Sequence, residues 1–455
     1  MAFGWRGDPR PSHTACDALR RPPVDGCVSI LLVQEVGCDL EALCGYNASM
    51  DTTYLLIGGG LASGQAAKAL REHDTQCSIT LVGDEPYVPY DRPPLSKEFL
   101  RGEKRREELF FEPEQYFHEH HIALLLGVAV QHLDLGNKTA ALNNGQRLRF
   151  EKALIATGGR PVRLHLPGGE LPGVHYLRTV DDAAQISADA REGTRAVMIG
   201  GGFIGMEVAA SLTQRGVQVT VIEAADQIWS RFADAKLAAA FQEYCEKKGV
   251  TFWIGQLVTE IRGNDRPTSV MTSSGKELPC DFVCIGAGII PNVELAQEAG
   301  LPVDNGIVVN EYLQSSNPDI YAAGDVSNYW DPLFEKRRRV EHWGHAEYCG
   351  QLAGQNMAGA RNQYDLLTYV WSDIFDLHLE FAGDEYEHDQ ILLRGRFQDK
   401  SFMVLYLKQH ALRAYFAVNS SSKDLPVLQR LIRQKKDLSG KETLLQDSAV
   451  PLKSV

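Results

Sequence analysis

The run RAVMIGGGFIGMEVAA spans residues 195–210. Five largely apolar residues lead into three glycines, and small and apolar residues follow. A short buried strand, a tight turn and a helix have that signature. QVTVI (218–222) then supplies a second strand. Strand, glycine turn, helix and strand within about 30 residues make a βαβ unit. Gly200, Gly202 and Gly205 keep a complete G-x-G-x-x-G spacing. Glycine there lets the backbone turn sharply and approach a pyrophosphate, whose charge meets the helix N-terminus. Glu223 closes the second strand, where a carboxylate accepts hydrogen bonds from ribose hydroxyls.

The same pattern stands upstream. TYLLI (53–57) runs into GGGLASG (58–64), then a helix-like QAAKALREH (65–73) and the strand CSITLV (77–82). Gly58 and Gly60 hold their positions, and Ser63 stands at the third; serine is small enough for close helix–strand packing. The acid of this unit is Asp84 or Glu85. One such motif is a weak signal, but two, each between a strand and a helix, point to two dinucleotide sites. A third strand, DFVCI (281–285), enters GAGIIP (286–291). Past residue 365 the texture changes. LHLEFAG (377–383), QILLRGRF (390–397), SFMVLYL (401–407) and LRAYFAV (412–418) read as an antiparallel sheet. DLPVLQRLIRQKK (424–436) reads as a helix with Asp424 as N-cap.

The expected fold class is α/β: two Rossmann-like dinucleotide-binding domains in a glutathione-reductase-like arrangement, plus a C-terminal α+β domain. The expected boundaries are 53–160 with 286–365 for a discontinuous first domain, 161–285 for the second and 366–445 for the third. At roughly 150 residues per domain, the 455 residues also suggest about three. Residues 1–52 do not match the rest. They hold Cys16, Cys27, Cys38 and Cys44, are rich in acid, and contain no apolar stretch longer than ILLV. Neither a secretory leader nor a transit peptide is expected from that composition. An atypical, disordered extension is expected there, with Met50 as the native start.

The net charge of −13 argues against a nucleic acid as the main partner. No stretch approaches the ~18 apolar residues of a membrane span, so a cytoplasmic protein is expected. Nine cysteines with no CxxC give neither a disulfide scaffold nor the usual zinc spacing. Cys280 and Cys284 share one strand, about 13 Å apart, and a disulfide needs Cα atoms within about 7 Å. His118, His120 and His121 lack the i, i+4 spacing of helical metal ligands, so no metal site is expected.

Taken together, PYDRPPLSK (89–97), ATGGRP (156–161), GGGFIGMEVAA (200–210), GAGIIPN (286–292), YAAGDV (321–326), EHW (341–343) and WSD (371–373) mark a resemblance. Over roughly residues 53 to 445 the chain resembles the FAD-dependent pyridine-nucleotide oxidoreductases. Within them it is similar to the ferredoxin reductase branch, which includes putidaredoxin and rubredoxin reductases and the reductase components of Rieske oxygenase systems. The disulfide reductases of that superfamily carry a CxxxxC pair after the first βαβ unit. Here no cysteine occurs between Cys77 and Cys245, so electrons must leave the flavin directly.

The resemblance implies FAD in the first domain and NAD in the second. FAD would be held by Gly58, Gly60, Ser63, Asp84 or Glu85, Ala156, Thr157, Gly158, Arg160, Gly324 and Asp325. Arg92 would lie toward the pyrophosphate, Asp325 on the ribityl chain, and Trp343 beside the isoalloxazine. Lys97 would sit near the flavin ring and pair with Glu207; with Trp343 these are the expected catalytic residues. Trp371 would lie near the same face. The nucleotide would be held by Gly200, Gly202, Ile204, Gly205, Glu223, Gly286 and Gly288. Glu223 is followed by Ala224 and Ala225 rather than arginine, which favours NADH over NADPH; Arg231, eight residues on, is the residue that would assist a phosphate if one were bound.

The resemblance further implies electron flow from NADH through FAD to a small [2Fe–2S] ferredoxin or rubredoxin, by a monomer or homodimer. Two other readings stay open: an NADH oxidase or quinone reductase, and an apoptosis-inducing-factor-like NADH sensor. An acidic carrier needs a local basic patch. The candidates are Arg101, Lys104, Arg105 and Arg106; Lys336, Arg337, Arg338 and Arg339; and Arg430, Arg433, Lys435 and Lys436.

Overall fold

The computed structural model describes residues 50–230 and 233–455. The extension expected over residues 1–52 lies outside them as far as residue 49, and so does Arg231. The first strand, Met50–Ile57, begins three residues ahead of Thr53. It pairs in parallel with Ile79–Gly83 on one side and with Arg147–Ile155 on the other. Ile122–Leu126 extends the first side, and Ile320–Ala322 returns much later to pair with Arg147–Ile155. These strands are apolar because both faces of the sheet are covered; all of Ile79–Gly83 is buried. An antiparallel pair, Thr139–Leu142 and Val130–Asp134, completes the sheet.

The second sheet is wholly parallel. Its order is Thr251–Ile254, Gln218–Glu223, Arg195–Ile199, Phe282–Ile285, Val174–Tyr176. Each parallel sheet sends a helix from the glycine turn after a central strand. These helices are Leu61–His73 and Phe203–Gln214. Cys280 and Cys284 are buried and free.

The C-terminal sheet is antiparallel with five strands, not four. Its outermost strand is Tyr369–Ile374, and Leu377–Gly383, Ala411–Val418, Ser401–Lys408 and Gln390–Arg396 follow in order. Tyr369–Ile374 escapes a reading by hydrophobic alternation because one buried position on it is polar, Ser372. Helix Leu425–Gln434 packs on this sheet through Leu425, Leu428, Leu431 and Ile432. Asp424 precedes it but makes no side-chain cap. The unit continues past residue 445: buried Arg394 donates to the carbonyls of Leu445, Asp447 and Val450 at 3.1, 2.6 and 2.7 Å.

A long helix, Trp343–Met357, lies against Leu61–His73. Gly350 faces Ala62 so closely that a Cβ would stand 2.2 Å from its carbonyl oxygen. This close crossing carries Trp343, at the head of the helix, onto the wall of the same cavity that the first glycine turn lines.

Candidate functional site

A cavity of about 460 Å³ opens beside the first glycine turn and reaches to Lys97, Glu207 and Trp371. Gly58 sits at φ +119°, and a Cβ there would lie 2.3 Å from the carbonyl oxygen of Ala156. Ala156, Thr157 and Gly158 thus lie across the turn and line the cavity. The second unit repeats this. Gly200 sits at φ +106°, and its Cβ would lie 2.5 Å from the oxygen of Gly286. Gly60 and Gly202 occupy the N-caps of the two helices, and neither helix has a side-chain cap. The first-turn amides are therefore left for an outside acceptor, which is what a pyrophosphate supplies. Ser63 is fully buried where the third glycine would stand. The residues present fit a dinucleotide at each turn.

Both acids of the first unit line the cavity, and they differ in their partners. Asp84 is exposed. Glu85 accepts from Arg92 at 2.6 Å and from the Tyr90 hydroxyl at 2.5 Å. Arg92 also donates to the carbonyl of Arg178 at 2.5 Å, which holds its guanidinium at the cavity wall. Arg178 itself pairs with Asp325 at 3.0 Å. Asp325 lies on the 3₁₀ turn Gly324–Val326, and both Gly324 and Asp325 line the cavity. Nothing in the local sequence of Arg178 marks it; only the fold brings it there.

At the far end, Lys97 Nζ lies 2.8 Å from Glu207 Oε2, with side chains 4% and 5% exposed. A buried charge without a partner costs several kcal/mol, so each ion requires the other here. Ser96 Oγ donates to Glu207 Oε2 and Ser372 Oγ to Oε1, both at 2.5 Å. The Trp371 ring lies 5.3 Å from Lys97 Nζ. Trp343 lines the cavity and donates from Nε1 to Asp91 at 2.6 Å.

His342 caps the Trp343 helix. Its Nδ1 stands 3.2 Å from the amide of Gly344 and its Nε2 3.3 Å from that of Trp371. A neutral imidazole accepts from only one of them at a time. His345, fully buried against Tyr329 and Tyr364, belongs to the core rather than the cavity. Burial pushes His342 down from 6.5 to about 4 and His345 to about 3. Below pH ~6.5 the unfolded chain binds these protons and the folded chain does not. Their contribution to stability is complete above that pH and is lost as pH falls toward about 4 and about 3. The slope is about 1.4 kcal/mol per pH unit for each histidine. Melting temperature should therefore decline between about pH 6.5 and 5, and His345→Gln should flatten the decline; an identical slope in the variant would remove His345 as a source.

In the second unit Glu223 is held by the backbone. Its Oε2 accepts from the amide of Gly201 at 2.6 Å and its Oε1 from that of Ala225 at 2.8 Å. The carboxylate is thus fixed against the glycine turn. Ile204, in the first turn of the helix Phe203–Gln214, lines the first cavity, as Glu207 does. Arg160 is not among the cavity-lining residues; it pairs with Glu294 at 2.6 Å and Asn292 at 2.8 Å on the surface.

Other charged candidates are locally satisfied. Arg101, Arg105 and Arg106 pair with Glu103, Glu108 and Asp181. Lys336 pairs with Asp384 and Glu387, Arg338 with Asp331 and Arg339 with Glu341. Arg433 and Lys435 pair with Asp365 and Glu335. Each basic cluster is therefore partly neutralised by its own neighbours. His120 stacks on Tyr116, with ring centroids 4.0 Å apart.

The family model described as pyridine nucleotide-disulphide oxidoreductase matches residues 52–350, and one described as reductase C-terminal matches 369–455. The chain is 37% identical to rhodocoxin reductase of Rhodococcus erythropolis over 77% of its length and 82% of that protein. It is 32% identical to putidaredoxin reductase of Pseudomonas putida over 88% of its length and 96% of that protein. The crystal structure of the covalent putidaredoxin reductase–putidaredoxin complex superposes with a TM-score of 0.85 at 31% identity, covering 89% of this chain and 98% of that one. The ferredoxin reductase for the CYP199A2 system from Rhodopseudomonas palustris gives a TM-score of 0.84 at 32% identity, covering 89% and 99%.

Proposed function

This chain belongs to the pyridine nucleotide-disulphide oxidoreductase family, and on that premise we propose an NADH-dependent flavoprotein reductase that delivers electrons to a small iron–sulfur carrier. FAD, when bound, supplies the hydride acceptor and the release of electrons singly. The protein's work is to bind, orient and shield. In the first domain, residues 53–160 with 286–365, the uncapped helix and the Gly58 turn hold the FAD pyrophosphate. Arg92 and the acids at Asp84 and Glu85 hold its nucleotide half, and Asp325 with Arg178 holds the polyol chain. In the second domain, residues 161–285, the Gly200 turn and Glu223 hold NADH. Lys97 presents a fixed positive charge where negative charge develops, and Glu207 keeps its direction. Trp343 and Trp371 keep water from that end.

The observation that carries this reading is the buried Lys97–Glu207 pair, because it joins the wall of the first cavity to the helix of the second glycine turn. No cysteine lines the cavity among the described residues, which supports direct departure of electrons. The relatives' names, rhodocoxin reductase and putidaredoxin reductase, support a small iron–sulfur partner. Among the described residues no helix is long and apolar enough to cross a membrane; we place the protein in the cytoplasm with its NADH supply.

The test is NADH-driven cytochrome c reduction by the FAD-loaded protein, with and without a [2Fe–2S] ferredoxin. Strong ferredoxin dependence is expected. A rate indifferent to ferredoxin means an oxidase or small-molecule reductase, and fast flavin bleaching with almost no turnover means a sensor. The fixed carboxylate of Glu223 also sets the nucleotide preference. NADH should be favoured over NADPH in kcat/KM by at least about 10-fold, and Glu223→Ala should shrink that ratio toward one. Equal values for the unaltered protein would overturn the assignment.

A further inference from the structure

Among the described residues, Glu207 is the carboxylate at the cavity whose polar contacts reach all three units. Lys97 and Ser96 come from the first, Glu207 from the helix Phe203–Gln214 of the second, and Ser372 from the outermost strand of the C-terminal sheet. We propose that Ser372, together with Ser96, is a positioning residue: the two hydroxyls grip opposite oxygens of Glu207 and thereby aim the Lys97 ammonium. The inference rests on the reductase reading above and adds a duty for the C-terminal unit inside the redox site.

The geometry separates a grip from mere packing. A buried carboxylate has room for about four hydrogen bonds, and leaving an oxygen unpaired in a dry site is costly. Among the described residues, Ser372 is the hydroxyl that donates to Oε1, while Lys97 and Ser96 share Oε2. Lys97 has only weak alternatives: the carbonyl of Pro93 at 3.3 Å and Ser96 Oγ at 3.5 Å. Its direction therefore follows that of Glu207. If Oε1 loses its donor, the carboxylate rotates to find another and the ammonium moves with it. Trp371, the neighbour of Ser372, also comes to lie beside the same ammonium. One short strand thus supplies both the grip and the cover.

The strand is fastened elsewhere as well. Asp376, at the tip of the same hairpin, pairs with Lys248 and accepts from the Tyr244 hydroxyl, both on or beside the helix Ala235–Lys247. Removing the Ser372 hydroxyl therefore leaves the hairpin anchored.

The experiment compares FAD-loaded Ser372→Ala, Ser372→Thr, Glu207→Gln and the Ser372→Ala/Glu207→Gln double variant with the unaltered protein. Flavin bleaching by NADH in stopped flow, the midpoint potential of the bound flavin, FAD content and melting temperature are read for each. Ser372→Ala should bleach about 10-fold more slowly with a more negative potential, because a displaced cation stabilises added electrons less. FAD content should be unchanged. Ser372→Thr, which keeps the hydroxyl, should recover most of the rate. In the Glu207→Gln background, Ser372→Ala should add less than about a factor of two, since residues acting through one another are non-additive. An unaltered rate and potential in Ser372→Ala, or losses that multiply fully in the double variant, would overturn the proposal. Should the alanine variant not fold, Ser372→Cys, close in size and a weak donor, carries the same comparison. If the unaltered protein is not bleached by NADH, the reductase reading fails, while the potential still reports on the grip.

Discussion

Lys97→Met lowers the rate at which NADH bleaches the bound flavin by roughly 100- to 1000-fold, the range seen when one preorganised electrostatic group is removed from an active site. The expectation follows from burial. At 4% exposure the ammonium is not competing with solvent, so its field acts in a poorly screened place and needs no rearrangement. Methionine has nearly the length of lysine and no charge. The stability cost differs from the rate cost. Glu207, 5% exposed, would be left as an uncompensated ion, at about 3–5 kcal/mol. Pairing Lys97→Met with Glu207→Gln should recover much of that stability, because the leftover charge is gone, and none of the rate. Stopped-flow bleaching and thermal melts on both variants decide the matter. A double variant that regained the rate would show that the pair is a structural clasp and not part of the redox site.

The Gly58→Ala variant should be purified without FAD. Two penalties coincide there. An L-residue at φ +119° is strained, at about 1–3 kcal/mol. Its Cβ would also stand 2.3 Å from the Ala156 oxygen, and backbone rather than a flexible side chain is what must move. Moving it opens the very turn proposed to hold the pyrophosphate. Gly200→Ala is the matched control, with φ +106° and a contact at 2.5 Å to Gly286. It should keep FAD and lose NADH: flavin absorbance per chain stays normal while KM for NADH rises at least about 10-fold. If both variants lost FAD, or Gly200→Ala bound NADH normally, the allotment of one nucleotide to each turn would be wrong.

Much of this was legible in advance because it is local. Glycines at 58 and 200 announce turns that no other residue tolerates well, and the apolar runs beside them announce strands covered on both faces. The Lys97–Glu207 pair is spatial and was reached through resemblance; the structure shows the 2.8 Å contact. Other parts were not legible. Arg178 has no motif around it, yet it meets Asp325 across the cavity. Arg160 sits in a telling motif and still turns to Glu294 at the surface. The strand Tyr369–Ile374 is not legible because Ser372 interrupts its apolar pattern, and that same serine donates to Glu207.

What the sequence by itself determined is the class of fold and the two glycine turns, since backbone conformation and strand burial depend on residue type within a few positions. What only the tertiary structure decided is how the acids, cations and hydroxyls are partnered. Ser96, Lys97, Glu207 and Ser372 are separated by up to 276 positions along the chain. Their meeting depends on how three sheets pack, and a charge takes whichever partner its buried surroundings leave within reach.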